Sequence, residues 1–160
     1  MALKPDRDYF EDTDIANYWS ELEAQETAEK GGVAAVESAG SGTALGTDTT
    51  SGGNVVQYAV DPSGAIAKGV LLQPVNPALS ATRDFKNFSN LEARPGEKVT
   101  LLRKGWVVTD MITGTPSAGD AAYLAASGNV SPSQATGAPQ VGRFETSKDA
   151  DGFARVYIDI

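Results

Sequence analysis

From Glu97 onward, short apolar runs alternate with glycine-bearing turns. Val99, Leu101 and Leu102 lead into Arg103-Lys104-Gly105, and Trp106, Val107 and Val108 lead out. Three residues ending in Gly between two apolar runs predict a hairpin loop, because Gly takes the left-handed conformation without a Cβ clash. Ala121 to Ala125 follows Ala118-Gly119-Asp120, and Ser127-Gly128-Asn129 turns the chain before Val130. Val141-Gly142-Arg143-Phe144 then precedes Asp149-Ala150-Asp151-Gly152, a second hairpin signal. The last run alternates to Ile160: Phe153, Arg155, Tyr157 and Asp159 on one face, Ala154, Val156, Ile158 and Ile160 on the other. Ile160 is therefore expected to be anchored and not frayed. Upstream, Val55, Val56, Tyr58 and Val60 lead to Asp61-Pro62-Ser63-Gly64, a turn whose Pro presets φ and whose Gly closes it. Ile66 and Val70-Leu71-Leu72 form the returning strand, ended by Pro74 and Pro77. Asn76 to Pro95 is polar and irregular, with Phe85 and Phe88 expected to pin it to the body. These periods predict an all-β body, an antiparallel barrel or sandwich, over residues 54–160.

Residues 1–53 follow another pattern and are expected to form an extended, partly helical arm and a linker. Ile15, Tyr18, Trp19 and Leu22 stand at i, i+3, i+4 and i+7, one face of a short helix. Ser20 and Glu23 also make a capping box, which would start the helix near Glu21 instead. Either helix is expected to stop at Gly31-Gly32. Tyr9, Phe10, Ile15, Tyr18, Trp19 and Leu22 are large apolar groups in an acidic stretch; they dock either on the chain's own body or on a partner. Val33–Val36 is a candidate strand, followed to Gly53 by a Gly/Ser/Thr linker. Gly40, Gly42 and Gly46 lack the Lys-Ser/Thr and the preceding strand of a phosphate loop.

Charge sharpens this division. The net charge is −8; residues 1–30 hold nine acids and three bases, and residues 31–160 hold twelve acids and ten bases. With no basic patch, binding of nucleic acid through its phosphates is not expected. The acidic arm suits a basic protein partner or is a solvated tail. There is no Cys and no His, which removes disulfides, thiolate metal sites and the commonest general base together. Seventeen Gly and eight Pro in 160 residues fit many turns and little helix. No run has the roughly 18 apolar residues of a membrane span, and MALKPDRDYF has no apolar signal core.

Little in the chain could carry chemistry. Asp149-Ala150-Asp151-Gly152 resembles a fragment of a calcium loop but lacks its third oxygen position and bidentate Glu, so a β-turn is expected and no metal. Asp110, Asp120, Asp149 and Asp151 fall near proposed strand ends, where turn and solvated acids are normal; nothing pairs them as acid and base. No Ser or Thr has a His or S-x-x-K partner. No cofactor or enzymatic activity is expected. Arg103 and Lys104, before Trp106, form a cationic and aromatic cluster that reads either as a binding tip or as a solvated loop beside a core Trp.

The order KVTLLRKGWVVT, AGDAAYLAASGNVS and VGRF…DADGFARVYI resembles the small capsid decoration, or cement, proteins of tailed bacteriophages. The likeness reaches back over Ala67 to Leu72, about two thirds of the chain. It implies a small β-barrel or sandwich and a non-enzymatic virion protein. On this expectation the chain, made in the bacterial host cytoplasm, joins the capsid surface and stabilises joints between major capsid subunits. Its partners are then the major capsid protein and neighbouring copies, as a homodimer or homotrimer, with no nucleic acid or membrane. The alternative is a receptor- or glycan-binding domain of a virion appendage.

Overall fold

The computed structural model describes residues 14–20, 27–36, 55–77 and 92–160. Among these the chain is nearly all β. The strands are β1 (Asp14–Ser20), β2 (Val33–Val36), β3 (Val55–Val56), β4 (Ile66–Leu71), β5 (Lys98–Thr109), β6 (Ala121–Leu124), β7 (Val130–Ser131), β8 (Gln140–Phe144) and β9 (Ala154–Asp159). A 3₁₀ turn, Ala126–Gly128, separates β6 from β7. The sheet runs β2-β4-β5-β9-β8-β6-β7, with β1 joined to β5 and β3. Just past β5 the chain returns to β7: Thr113 N–H donates to Val130 O at 2.9 Å and Val130 N–H to Met111 O at 3.0 Å. That contact nearly closes the antiparallel sheet into a barrel.

The barrel interior holds Phe144, Leu102, Leu124, Val107, Val141, Val156 and Ile158, all buried. Alternation produces it directly: along β9, Ala154, Val156 and Ile158 point in while Arg155 and Asp159 point out. Ile160 packs on this core, and its N–H donates to Arg103 O at 3.0 Å, so the last residue is anchored as expected. A second cluster lies on the other side of β2, β4 and the first half of β5, formed by Ala34, Val36, Leu71, Val99 and Leu101. Its cover is Val56, Val75 and Ala93, with Tyr18, Ala28 and Tyr58 packed against it. Ala28, Val75 and Ala93 are bridged side by side, so segments outside the strands still satisfy their backbone groups.

Two glycines permit close backbone approach. A Cβ on Gly142 would run into the Tyr157 carbonyl of the adjacent strand, and one on Gly69 would meet Leu102 O at 2.7 Å. In the turns, Asp149 Oδ1 accepts the N–H groups of Asp151 (3.0 Å) and Phe153 (2.8 Å), and Asp120 Oδ2 accepts that of Ser117 (2.8 Å).

Three expectations are corrected. Arg103-Lys104-Gly105 is not a hairpin loop; β5 runs straight through it for 12 residues. Asp14 pairs with Lys104 but Ile15 with Leu102, so Arg103 is the extra residue of a β-bulge. The bulge changes which residues face inward, and Leu102 and Val107, five residues apart, enter the same core. Residues 14–20 are strand and not helix, because they complete a ladder with β5 from Asp14↔Lys104 to Trp19↔Lys98. The Ser20 hydroxyl lies 3.0 Å from Arg94 O and 3.1 Å from Glu97 O across the sheet, and the helix start expected near Glu21 lies outside the described residues. The strand after the 61–64 turn does not return onto β3 but pairs with β2 and β5. β1 and β2 belong to the same sheet as the later strands, and Ala28 is bridged to Val75. The linker glycines, Phe85 and Phe88 lie outside the described residues.

Candidate partner-binding surfaces

β1 alternates, with Ala16, Tyr18 and Ser20 toward the second cluster side and Ile15, Asn17 and Trp19 outward. Pairing with β5 holds it in place, and Asn17 Oδ1 accepts from Thr100 Oγ1 at 3.1 Å. Ile15 and Trp19 are nevertheless 45% and 43% exposed. Lys98 lies over the Trp19 ring, 5.9 Å from its centroid, a cation–π contact. The result is a strand face with two large apolar groups, a central amide and a cation at one end. Such a face can seat a protein surface.

Of the other residues singled out from sequence, Tyr18 is half-buried and packs against the second cluster. Arg103 turns to the end of the chain, its guanidinium donating to Ile160 O at 3.3 Å. Lys104 is exposed and lies 3.8 Å from Asp159, a surface pair of small energetic weight. Ile15, Trp19 and Lys104 thus share the neighbourhood of the β1–β5 ladder, while Arg103 belongs to the body. Tyr9, Phe10 and Leu22 lie outside the described residues.

Two further surfaces escaped sequence reading. Trp106, Tyr157 and Arg143 are register neighbours across β5, β9 and β8. The two rings are 5.2 Å apart and tilted by 56°, and the Arg143 guanidinium lies 5.8 Å from the Tyr157 centroid. Arg143 Nε donates to Glu145 Oε1 at 2.8 Å, and this hydrogen bond, with the charge attraction, raises the guanidinium pKa further. Arg155 reaches the same carboxylate at 4.0 Å. The alternation of β9 did place Tyr157 outward, but the bulge in β5 hid its pairing with Trp106. The other surface is Val60 and Ile66, 81% and 54% exposed on either side of the 61–64 turn.

Asp149 and Asp120 spend carboxylate oxygens on their own loops. Among the described residues, no group of three or more His, Cys, Asp or Glu could hold a metal, and no helix is long and apolar enough to cross a membrane.

A family model described as "Structural cement protein (E217 gp24/Pam3 gp6)" matches residues 12–159. No curated protein matches the chain.

Proposed function

The chain belongs to the phage family of structural cement proteins, and from that premise we propose that it binds the outer surface of an assembled phage capsid and stabilises joints between major capsid subunits. It does so without catalysis. A protein that binds the assembled shell and not the loose subunit favours assembly by mass action, and every joint it spans gains buried area against the outward push of packaged DNA. The chain is made in the bacterial host and takes its place on the shell, beside further copies of itself.

The observation that carries this reading is the outward face of β1, where Ile15 and Trp19 stand exposed on a strand already fixed by its own ladder. Rigid apolar anchors bind at little ordering cost, and Trp is enriched among residues that dominate interfaces. Lys104, in register with Asp14, borders the same face.

The test is occupancy of purified shells by the Ile15→Ser, Trp19→Ala variant. Shell affinity is expected to fall at least about tenfold, while the melting temperature stays near that of the parent. Full occupancy at unchanged affinity would retire the β1 face as the capsid contact.

A further inference from the structure

The outward face of β9 reads Arg155, Tyr157, Asp159, a base two residues before the ring and an acid two residues after it. Both charged side chains are open to solvent, at 46% and 61% exposed. Tyr157 is flanked in register by Trp106 of β5 and Arg143 of β8, so the three form a line across the strands. On one side of this line Lys104 and Asp159 lie 3.8 Å apart. On the other, Arg155 and Glu145 lie 4.0 Å apart.

Charge on this face is balanced. Lys104, Arg143 and Arg155 are met by Asp159, Glu145 and Asp14, the last in register with Lys104. The whole chain carries −8, so a balanced face around two half-buried rings lets two copies meet without like-charge repulsion.

The face is also complementary to itself. A twofold axis along the Trp106–Tyr157–Arg143 line turns a second copy's sheet onto the first with its β9 antiparallel. Tyr157 then meets Tyr157, and the residues two places to either side exchange: Arg155 of each copy faces Asp159 of the other. Sheets packed face to face stand about 10 Å apart, a gap that rings and charged side chains from both sides fill. Charges alternate across the joint, Lys104 and Asp159 of one copy continuing into Arg155 and Glu145 of the second, and symmetry repeats the network. Arg143, on the axis, brings Glu145 with it at 2.8 Å and so meets its copy as a neutral pair. A twofold along the strand would instead set Arg155 on Arg155 and Asp159 on Asp159, which repel.

We propose that the Trp106–Tyr157–Arg143 face is the contact of an isologous dimer, two copies stacked sheet on sheet with Arg155 and Asp159 paired between them. No shell is needed for this contact, so it stands or falls apart from the capsid reading.

The test is sedimentation of the purified full-length chain and of two variants, Arg155→Asp and Asp159→Arg. The parent is expected to dimerise. In each variant alone both exchanged pairs become like-charged, and the dimer dissociation constant should rise at least about tenfold. Mixed together, the two variants restore both pairs, and heterodimers should form at least about tenfold more tightly than either homodimer. Gross attraction does not account for that result, since each substitution moves the charge of −8 by two, to −10 and −6, and both chains stay negative. Melting temperatures near that of the parent establish that the variants are folded. If either is not, Tyr157→Ser on the axis replaces it and should weaken the dimer by at least about tenfold. A parent that stays monomeric, variants that dimerise like the parent, or a mixture without heterodimers would overturn the proposal.

Discussion

The C-terminal barrel and the layer of β2, β4 and the first half of β5 solve burial in different ways. Barrel strands such as β9 bury one face and wet the other, so inward and outward residues alternate. In the second region both faces are covered: all four residues of β2 are buried, and Val70 and Leu71 of β4 enter opposite cores. Strands buried on both sides read as continuous apolar runs, here VAAV and VLL. The barrel is self-sufficient in its alternation. The layer depends on a lid, the Ala28–Val75–Ala93 ladder, which is not made of long strands.

Phe144→Ala tests the barrel side most severely. It empties the largest fully buried side chain and should cost about 3–5 kcal/mol, with loss of protection from hydrogen exchange throughout the sheet. Gly142→Ala should cost about 3 kcal/mol although it adds one methyl, because the obstacle is the Tyr157 carbonyl, which cannot swing aside. Chemical denaturation would reveal it; a neutral result would mean that β8 and β9 can move apart. Leu71→Ala, in the second cluster, should cost about 2–3 kcal/mol and act locally. The amides of Ala28, Val75 and Asn76 should exchange faster while that of Ile158 is unchanged. Uniform acceleration would show the two regions to be a single cooperative unit.

The smallest effect is at Tyr58, whose hydroxyl accepts from Gly32 N–H at 3.2 Å and donates to Glu29 O. Burial is the main cause that raises its pKa, and nearby Glu29 adds to it, with the Gly32 bond opposing. The folded state thus keeps a proton that the unfolded state loses near pH 10. This contribution is intact below that pH and declines as pH rises beyond it. Tyr58→Phe should cost about 1 kcal/mol at neutral pH and make the alkaline decline shallower. Equal slopes for the two proteins would disconnect Tyr58 from alkaline stability.

The same contrast explains what was readable in sequence. β6, β8 and β9 and their turns were legible because one face is wet and the turn residues follow from backbone requirements, as with Asp149 capping its own loop. β1 was mistaken for helix because Ile15 and Trp19 are four residues apart, a spacing that shares a face in helix and strand alike. Tyr18 was the discriminating residue, and it lies on the opposite face. Arg103-Lys104-Gly105 has the composition of a turn, and a bulge uses the same extra residue without ending the strand. Of the candidate surface, the β1 residues were named from their size and acidic setting. Lys98, Tyr157 and Arg143 join their surfaces only through strand pairing, which no local pattern records.

The β1–β5 ladder has a mechanical meaning. Six register pairs, from Asp14↔Lys104 to Trp19↔Lys98, run side by side in antiparallel order. A pull along β1 loads these pairs in shear, so they share the force and fail together. A pull perpendicular to it opens them one after another, like a zipper. The direction in which Ile15 and Trp19 are gripped, as much as the strength of the grip, would set the force at which this strand leaves its sheet.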